Sequence, residues 1–364
     1  MPPRDPAPPL RWLVVGCGSI GTRHINNLRT LGADQIVACD VNAKRRQEVA
    51  DRFGISVVRE LDEAWEYQPT VALITVPTSL HVPVAMQAAE HGCHLFIEKP
   101  LSDRVDGALH HLLKMVRDRQ LVSLVGCNFR FHPTLRRVKQ LCEEGAIGHV
   151  VAARAEVGQY LPDWHPWEDY RQSYSARRAL GGGVILDAIH EIDYIRWLMG
   201  AVEAVASFAS KLSALEIETE DTAAILLRFV GGAIGEVHLD YIQRASSRTC
   251  HIIGEQGTIR WDYTTGEMQW YSAETGQWRV FTNPESWKPN QMYVDELQHF
   301  LRCVVGAERP AQDLPAGVHA LHIALAAKRS AEQQQVITLA KQGAGWPKVT
   351  WSPVAPLEQG SQCP

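Results

Sequence analysis

Near its start the chain reads Leu13-Val14-Val15-Gly16-Cys17-Gly18-Ser19-Ile20-Gly21, and helix-like residues follow as far as Leu31. An apolar strand, a glycine-rich turn and a helix in this order form the dinucleotide-binding pattern G-x-G-x-x-G. Gly16 permits the tight turn, Gly18 lets the backbone approach a pyrophosphate, and Gly21 lets the helix pack closely on the strand. The pyrophosphate then lies at the positive end of the helix. We therefore expect a nucleotide to be bound by Gly16, Gly18, Ser19, Ile20 and Gly21.

Asp40 indicates which nucleotide is bound. Ile36-Val37-Ala38-Cys39 is typical of a second strand, and a carboxylate at its end, roughly 20 residues past the glycines, can accept hydrogen bonds from an adenosine ribose. The same carboxylate would repel a 2′-phosphate, so NAD is favoured over NADP. Lys44, Arg45 and Arg46 could neutralise such a phosphate, but they also fit the solvated face of a helix. Asp40 also disfavours the alternative that the glycines merely form a turn in a domain that binds nothing.

Composition excludes several classes of protein. The 364 residues are 45% hydrophobic with a net charge of −5, which suits two domains. No basic tract or zinc-finger spacing indicates a nucleic-acid partner. The proline-rich start lacks the apolar core of a signal peptide, and no run approaches membrane-spanning length, so we expect no membrane association and a cytoplasmic location. The eight cysteines form no Cys-x-x-Cys pair, which predicts reduced thiols and no metal site.

The first third of the chain alternates apolar runs of the buried parallel-strand type with helical stretches. The further strands are expected at Val71–Ile74, Leu95–Ile97 and Leu121–Val125, and helices at Ala43–Phe53 and Val82–His91. This pattern predicts a doubly wound parallel sheet of the Rossmann type, an α/β domain over residues 11–127, after a disordered tail at residues 1–10.

After Asn128 the pattern changes to a helix at Pro133–Glu144 and then to alternating strands separated by turns. Strands are expected at Val205–Leu212, Ala223–Phe229, Ala233–Tyr241, Arg248–Ile253 and Gly257–Trp261, and helices at Tyr293–Val305 and Val318–Gln333. We predict an α+β domain on a mostly antiparallel sheet over residues 128–350 for substrate binding and oligomerisation, followed by a tail at residues 351–364.

Polar residues follow two of the predicted parallel strands, at the carboxyl edge where ligands of such sheets bind. Glu98-Lys99-Pro100 ends one strand, and Pro100 restricts Lys99 to extended backbone and makes a cis peptide conceivable. Lys99 could also merely pair with Glu98 at the surface. Thr78 could cap a helix with His81 in its first turn, which does not exclude cofactor contact. After the preceding strand, the residues expected on the cofactor side are Thr75, Pro77, Thr78 and His81.

A second group of polar residues follows Gly181-Gly182-Gly183, which opens an apparent helix through Leu198. Asp187, His190 and Asp193 are spaced by three, so they would share one helix face, and either carboxylate could orient the imidazole. Taken alone, this pattern suits an ordinary polar helix face or ion-pair set equally well.

Taken in order, Gly16–Gly21, Glu98-Lys99-Pro100 and Gly181–Asp193 resemble the Gfo/Idh/MocA family of nicotinamide-dependent oxidoreductases. Residues 125–133 look like the family's crossover between domains, and residues 326–331 like its C-terminal helix. The resemblance implies hydride transfer between nicotinamide and a secondary alcohol whose oxygen lies between Lys99 and His190. Lys99 would stabilise a developing alkoxide while His190 transfers the proton, or these roles are exchanged.

The chain departs from the commoner family pattern, because only two residues separate Asp187 from His190 instead of three. A shift of one residue turns a helical side chain by about 100°. Asp187 is therefore expected to orient His190, to bind substrate, or to do both. We assign catalysis to Lys99, His190 and Asp187, and we add Glu98, Lys99 and Asn128 to the cofactor-binding residues.

An aromatic loop over residues 160–174 is the candidate for specificity. Its tryptophans could pack on sugar C–H faces, or could merely anchor the loop or an oligomer contact, and Arg130 or Arg171 could clamp a carboxylate or phosphate. The predicted substrate-binding residues are Lys99, Arg130, Trp164, Trp167, Asp187 and His190.

The resemblance therefore implies an NAD-dependent dehydrogenase of a sugar, polyol or sugar derivative. It is expected to be a homodimer or homotetramer that assembles through the second domain's sheet. The alternatives are an NAD-dependent glycoside hydrolase, which oxidises transiently and then re-reduces, and a cofactor-sensing regulator without catalysis. The presence of both Lys99 and His190 disfavours the regulator.

Overall fold

The computed structural model describes residues 10–339, and its first third alternates strands and helices. The strands are β1 (Trp12–Val15), β2 (Ile36–Cys39), β3 (Ser56–Val58), β4 (Val71–Ile74), β5 (His94–Glu98) and β6 (Ser123–Gly126). The helices are α1 (Ser19–Thr30), α2 (Ala43–Phe53), α3 (Leu61–Trp65), α4 (His81–Glu90) and α5 (Gly107–Asp118). All strand pairs are parallel, in the order β3-β2-β1-β4-β5-β6. The predicted doubly wound sheet is confirmed, with its order reversing at β1 and β4, where such sheets bind ligands.

The remaining described residues, up to residue 339, build a nine-stranded sheet and five α-helices. Its strands are β7 (Val150–Gly158), β8 (Val202–Ser210), β9 (Thr222–Phe229), β10 (Ile234–Asp240), β11 (Ser247–Gly254), β12 (Gly257–Asp262), β13 (Glu267–Ser272), β14 (Gln277–Thr282) and β15 (Ile337–Thr338). Its helices are α6 (Pro133–Glu143), α7 (Val184–Asp187), α8 (Ile189–Met199), α9 (Gln291–Val304) and α10 (Leu314–Gln333). Only β7 and β10 pair in parallel, so the prediction of a mostly antiparallel sheet is confirmed.

One face of this second sheet packs against helices and the other remains open. Burial alternates along β9, where Ala223, Ile225 and Leu227 point inward and their neighbours are exposed. Helices α8 and α10 pack on the inward face, and α8 carries His190 of the predicted site. We call this open face the outer face of the second sheet.

Strand β7 was not predicted, although it lies in the middle of the sheet between β11 and β10. Its sequence, Val-Val-Ala-Ala-Arg-Ala-Glu-Val-Gly, contains good helix formers, and only the pairing on both sides makes it a strand. The hairpin of β13 and β14 was also missed.

The predicted tails lie outside the described residues apart from Leu10. Among residues 10–339, no helix combines the length and apolar character that a bilayer crossing needs. The seven cysteines in that range are all free thiols, as expected, and no group of side chains there has the composition of a metal site.

Helix α9 leaves the second domain and packs on the first. Leu297, Phe300 and Cys303 join the buried cluster under β1 and β5, and the Phe300 ring lies 5.6 Å from that of Phe96. One face of the first sheet is therefore covered by a helix that comes after β14 in the chain.

Arg130 has a structural partner in place of the substrate role predicted for it. Its Nε and Nη2 donate to the two carboxylate oxygens of Asp193 at 2.8 and 2.7 Å, and its Nη1 donates to the Ala311 carbonyl at 2.6 Å. Gln312 donates to the same carboxylate at 2.7 Å. Both charged side chains are buried, so this arginine has no free edge with which to clamp an anion.

We expect Asp193→Ala to lower the free energy of unfolding by about 3–5 kcal/mol, because it leaves the buried Arg130 charge uncompensated. Urea denaturation measures the change. The double variant Asp193→Leu with Arg130→Met removes both charges and should cost much less. Equal losses in the two variants would contradict the ion-pair explanation.

Candidate active site

The turn between β1 and α1 requires its glycines. Gly16 has φ +100°, a conformation that side chains rarely adopt. A Cβ on Gly21 would lie 1.8 Å from the Gly16 carbonyl oxygen, so only glycine lets the helix approach this closely. At Gly18 a Cβ would meet nothing closer than 3.9 Å, which leaves the backbone accessible from outside. Helix α1 begins without a side-chain cap or an early acidic residue, so its first N–H groups are available to an anion.

Asp40 lies beside this turn at the end of β2. Its carboxylate accepts the Cys17 and Asn42 backbone N–H groups, both at 2.7 Å, which orients the carboxylate. The side chain of Arg46 turns back to the Asp40 carbonyl, and that of Arg45 lies near Gly18. A glycine turn, an uncapped helix start and an oriented carboxylate fit the pyrophosphate and ribose of a dinucleotide.

The residues after β4 serve mainly to hold the loops. The Thr75 hydroxyl is 2.9 and 2.7 Å from the carbonyls of Val15 and Gly16, so it fixes the glycine turn. The two ring nitrogens of His81 lie 2.8 and 2.9 Å from the carbonyls of Pro100 and Val76.

Thr78 is also packed within these loops. It is buried against Gly181, where a Cβ would come within 2.8 Å of it. Pro77, ahead of this turn, is partly exposed. The side chains of Thr75, Thr78 and His81 therefore contact the surrounding loops and hold these loops in position.

Lys99 and Asp187 join the two domains. Lys99 directly follows β5, and the peptide bond between Lys99 and Pro100 is cis. Its ammonium donates to the Asp187 carbonyl at 2.8 Å and to the Asp187 carboxylate at 3.2 Å. The carboxylate also accepts hydrogen bonds from Tyr174, from Ser175 at 2.6 Å and from Tyr241 at 3.0 Å.

These contacts determine the charges of the pair. Burial alone would lower the pKa of Lys99, but the oxygens of Tyr174, Asp187 and Glu98 outweigh it and raise that pKa above its usual value. Burial alone would raise the pKa of Asp187, but Lys99, Ser175 and Tyr174 outweigh it and lower that pKa. Lys99 is therefore a firmly held cation and Asp187 an anion at neutral pH.

The prediction that Asp187, His190 and Asp193 share one helix face is wrong. The helix is interrupted at Ala188, with φ −91° and ψ 32°, so Asp187 ends α7 and His190 lies in α8. Asp187 consequently binds Lys99, and Asp193 binds Arg130. Neither carboxylate is hydrogen-bonded to the imidazole in the described part of the chain.

His190 is buried with its ring 5.0 Å from that of Phe129, and its Nδ1 has no hydrogen-bond partner within residues 10–339. Burial, followed by the charges of Lys99 and Arg248, lowers the pKa of His190 well below its usual value. The imidazole is therefore neutral at neutral pH and can accept a proton.

Glu98 and Asn128 are two further residues that were predicted to contact the cofactor. The Glu98 carboxylate is 2.7 Å from the ring of His24 and accepts the Lys99 backbone N–H at 3.2 Å, so it is occupied by protein groups. The Oδ1 of Asn128 is buried without a partner in the described range. An unpaired amide oxygen here fits the carboxamide of a nicotinamide, which supports Asn128 more than Glu98 as a cofactor contact.

The two tryptophans of the aromatic loop differ. Trp164 donates to the Gln159 carbonyl at 3.2 Å and packs edge-on against Tyr241, 5.4 Å away, beside the Asp187 network. Trp167 is 75% exposed. Trp164 thus remains a candidate for substrate contact, whereas Trp167 has no visible connection to the site. Arg171 pairs with the exposed Asp169.

Sequence reasoning missed three residues of the site. Ser175 and Tyr241 bind Asp187, but nothing in their spacing connects them to it. Arg248 lies beside Glu191 and Phe129. Its pattern was visible, because it is a charged residue at an inward position of an otherwise apolar strand face.

Two family models match the chain. One, described as an oxidoreductase family with an NAD-binding Rossmann fold, matches residues 10–127. The other, described as the GFO/IDH/MocA C-terminal domain, matches residues 135–260, and together they cover more than half of the chain. The chain belongs to the Gfo/Idh/MocA family of oxidoreductases. The resemblance is therefore confirmed, together with the expectations of an enzyme and of NAD as its cofactor.

Family members of known activity resemble the chain over nearly its whole length. The myo-inositol 2-dehydrogenase of Thermotoga maritima is 28% identical over 344 residues, which span 91% of this chain and 98% of that protein. The scyllo-inositol 2-dehydrogenase (NAD(+)) of Bacillus subtilis is 27% identical, over 88% of this chain and 94% of that protein. The structure of a levoglucosan dehydrogenase with NADH has a TM-score of 0.82 at 22% identity, covering 91% of this chain and 99% of that one, and supports the fold.

Asp40→Asn should narrow the preference for NAD over NADP. The amide keeps an acceptor for the Cys17 N–H group but removes the charge that repels a 2′-phosphate. Dissociation constants for both coenzymes, with the exposed Asp34→Asn as control, measure the change, which we expect to be roughly tenfold. Tighter binding of NADP by the unaltered protein would show that Arg45 and Arg46 dominate.

Proposed function

We propose that the protein is an NAD-dependent dehydrogenase that oxidises a secondary alcohol of a sugar, polyol or sugar derivative, or catalyses the reverse reduction. The observation that carries the proposal is the pairing of a fixed cation, Lys99, with a buried neutral base, His190, within its electrostatic reach. The inositol dehydrogenases that resemble the chain over most of its length support the class of substrate.

NAD, when bound, would supply the acceptor for the hydride that leaves the alcohol carbon. The residues that would hold it are those of the glycine turn, Asp40 and Asn128. The Lys99 ammonium, fixed by Asp187, stabilises the negative charge that develops on the substrate oxygen. His190 accepts the hydroxyl proton. Lys99 is unsuited to that step because its raised pKa keeps it protonated.

The glycoside hydrolase alternative needs a further base to remove a C–H proton beside the new carbonyl. Tyr174 is the nearest candidate, but its hydroxyl donates to Asp187, and burial raises its pKa. A tyrosine in this state is a poor base. The arrangement therefore favours simple dehydrogenation.

The test is the stoichiometry of the reaction with NAD and a panel of sugars and inositols. We expect one NADH to form for each carbonyl product. Absorbance at the nicotinamide band measures the NADH, and product analysis measures the carbonyl compound. Release of a leaving group without net NADH would instead identify a hydrolase.

Substitutions then assign the roles. His190→Ala should lower turnover by roughly 10²–10⁴ while the affinity for NAD changes little, because a proton acceptor is lost. Lys99→Ala should be at least as damaging. The exposed residues His149 and Lys288, each changed to alanine, are the matched controls. Near-normal turnover of the folded His190 variant would assign the proton to another group.

We also propose that the protein acts in the cytoplasm as a homodimer or homotetramer formed through the outer face of the second sheet. The free cysteines suit a reducing compartment. Phe208, Leu226 and Ile234 lie on adjacent strands of that face and are 83, 53 and 54% exposed. Apolar side chains grouped in this way are typical of an association surface.

Leu226→Glu should reduce the number of subunits in the assembly, because the substitution would bury a charge in the subunit contact. Light scattering after size exclusion measures the mass. Val305→Glu, at an exposed apolar residue outside the sheet, is the control. A monomeric unaltered protein would overturn this part of the proposal.

A further inference from the structure

Arg248 is a charged residue on a strand face whose other buried residues are apolar. It lies on the inward face of β11, in register with the buried Cys250 and Ile252. Its side chain is nevertheless 20% exposed, so it reaches solvent from the inward face of the sheet. An inward-facing side chain that still reaches solvent indicates that this part of the strand borders a cleft.

One edge of the Arg248 guanidinium is held by the protein and the other is not. Its Nε lies 2.8 Å from a carboxylate oxygen of the fully buried Glu191. Its plane is supported by the rings of Phe129 and Tyr263, whose centroids are 4.3 and 5.9 Å from Cζ. Its two terminal nitrogens make no hydrogen bond to any of residues 10–339, and neither is among the buried unpaired atoms.

Arg130 shows what a purely structural arginine looks like in this fold. Every edge of its guanidinium is filled, by the Asp193 carboxylate and the Ala311 carbonyl. Arg248 differs, because its only carboxylate contact within the described residues is the close approach of Nε to Glu191, and both of its terminal nitrogens are unused there. A rigid guanidinium with a free edge is suited to bind two oxygens of one anion.

Phe129 connects Arg248 to the catalytic centre. The same ring that supports the guanidinium lies 5.0 Å from the ring of His190. A substrate whose alcohol is hydrogen-bonded to His190 can therefore reach Arg248 if it extends past Phe129. Only about one aromatic ring separates the two side chains, which is a distance that a single sugar can span.

We propose that Arg248 binds an oxyanion, a carboxylate or a phosphate, that the substrate itself carries. The inference rests on the proposed function and narrows it, since the preferred substrate becomes an acidic sugar derivative. The anion role expected of Arg130 or Arg171 is thereby assigned to Arg248.

Matched substrate pairs test the inference with the unaltered enzyme and NAD. The pairs are glucose with glucuronate, galactose with galacturonate, and glucose with glucose 6-phosphate, and myo-inositol is included as a neutral polyol. We expect kcat/KM of the acidic member to exceed that of its neutral partner by about 10- to 100-fold in at least one pair. Preference within the uronate pairs indicates a carboxylate, and preference within the phosphate pair indicates a phosphate.

Arg248→Gln should reduce kcat/KM for the acidic member by about 10- to 100-fold and that for the neutral member by less than about threefold. Arg248→Lys keeps the charge without the planar fork and should fall between. The exposed Arg52→Gln on α2 is the control. If the single change destabilises the fold by leaving Glu191 unpaired, the double variant with Glu191→Gln removes both partners and gives the same comparison.

Neutral members that react as well as their acidic partners in every pair would overturn the inference and leave the dehydrogenase proposal intact. Equal losses for both members in the Arg248→Gln variant would overturn it as well, because they indicate a structural role. Absence of NADH with every substrate would overturn the proposed function and this inference with it.

Discussion

The contact between the Lys99 ammonium and Asp187 is the interaction on which the rest of the site depends. Lys99 directly follows a strand of the first sheet, and Asp187 ends a short helix of the second domain, so this hydrogen-bonded ion pair links the two domains at the site. Tyr174, Ser175 and Tyr241 complete the shell of the carboxylate. Such a buried pair is stable only when its remaining polar atoms are satisfied, as they are here. The same contact keeps Lys99 charged, which in the proposed reaction leaves the proton transfer to His190.

Features that depend on neighbouring residues in the chain could be predicted from the sequence. The glycine turn, the parallel strands and helix α2, whose bounds agree to the residue, all follow from local patterns. Strand β7 did not, because its alanines, arginine and glutamate favour a helix and only its two partner strands determine its conformation. The central strand of the sheet was thus the hardest to recognise.

The site shows the same division. The sequence singled out Lys99, Asp187 and His190, and the structure places Lys99 in contact with Asp187. The partner of Asp187 could not be predicted, because the prediction assumed an unbroken helix through Ala188. Arginines illustrate the problem most clearly. A sequence reports that Arg130 and Arg248 are charged. Whether the protein saturates each guanidinium depends on residues more than about 50 positions away in the chain, as with Asp193 for Arg130 and Glu191 for Arg248.

Helix α9 has a consequence for the order in which the protein can be made. Trp12, Val14 and Phe96 belong to the first domain, yet their buried cluster is closed by Leu297 and Phe300. During synthesis, which proceeds at about 5–20 residues per second, the amino-terminal sheet must wait for most of the chain to emerge before that apolar face is covered. The nascent protein therefore carries an exposed, aggregation-prone surface through nearly all of its translation, and the first domain cut out alone would keep that surface permanently.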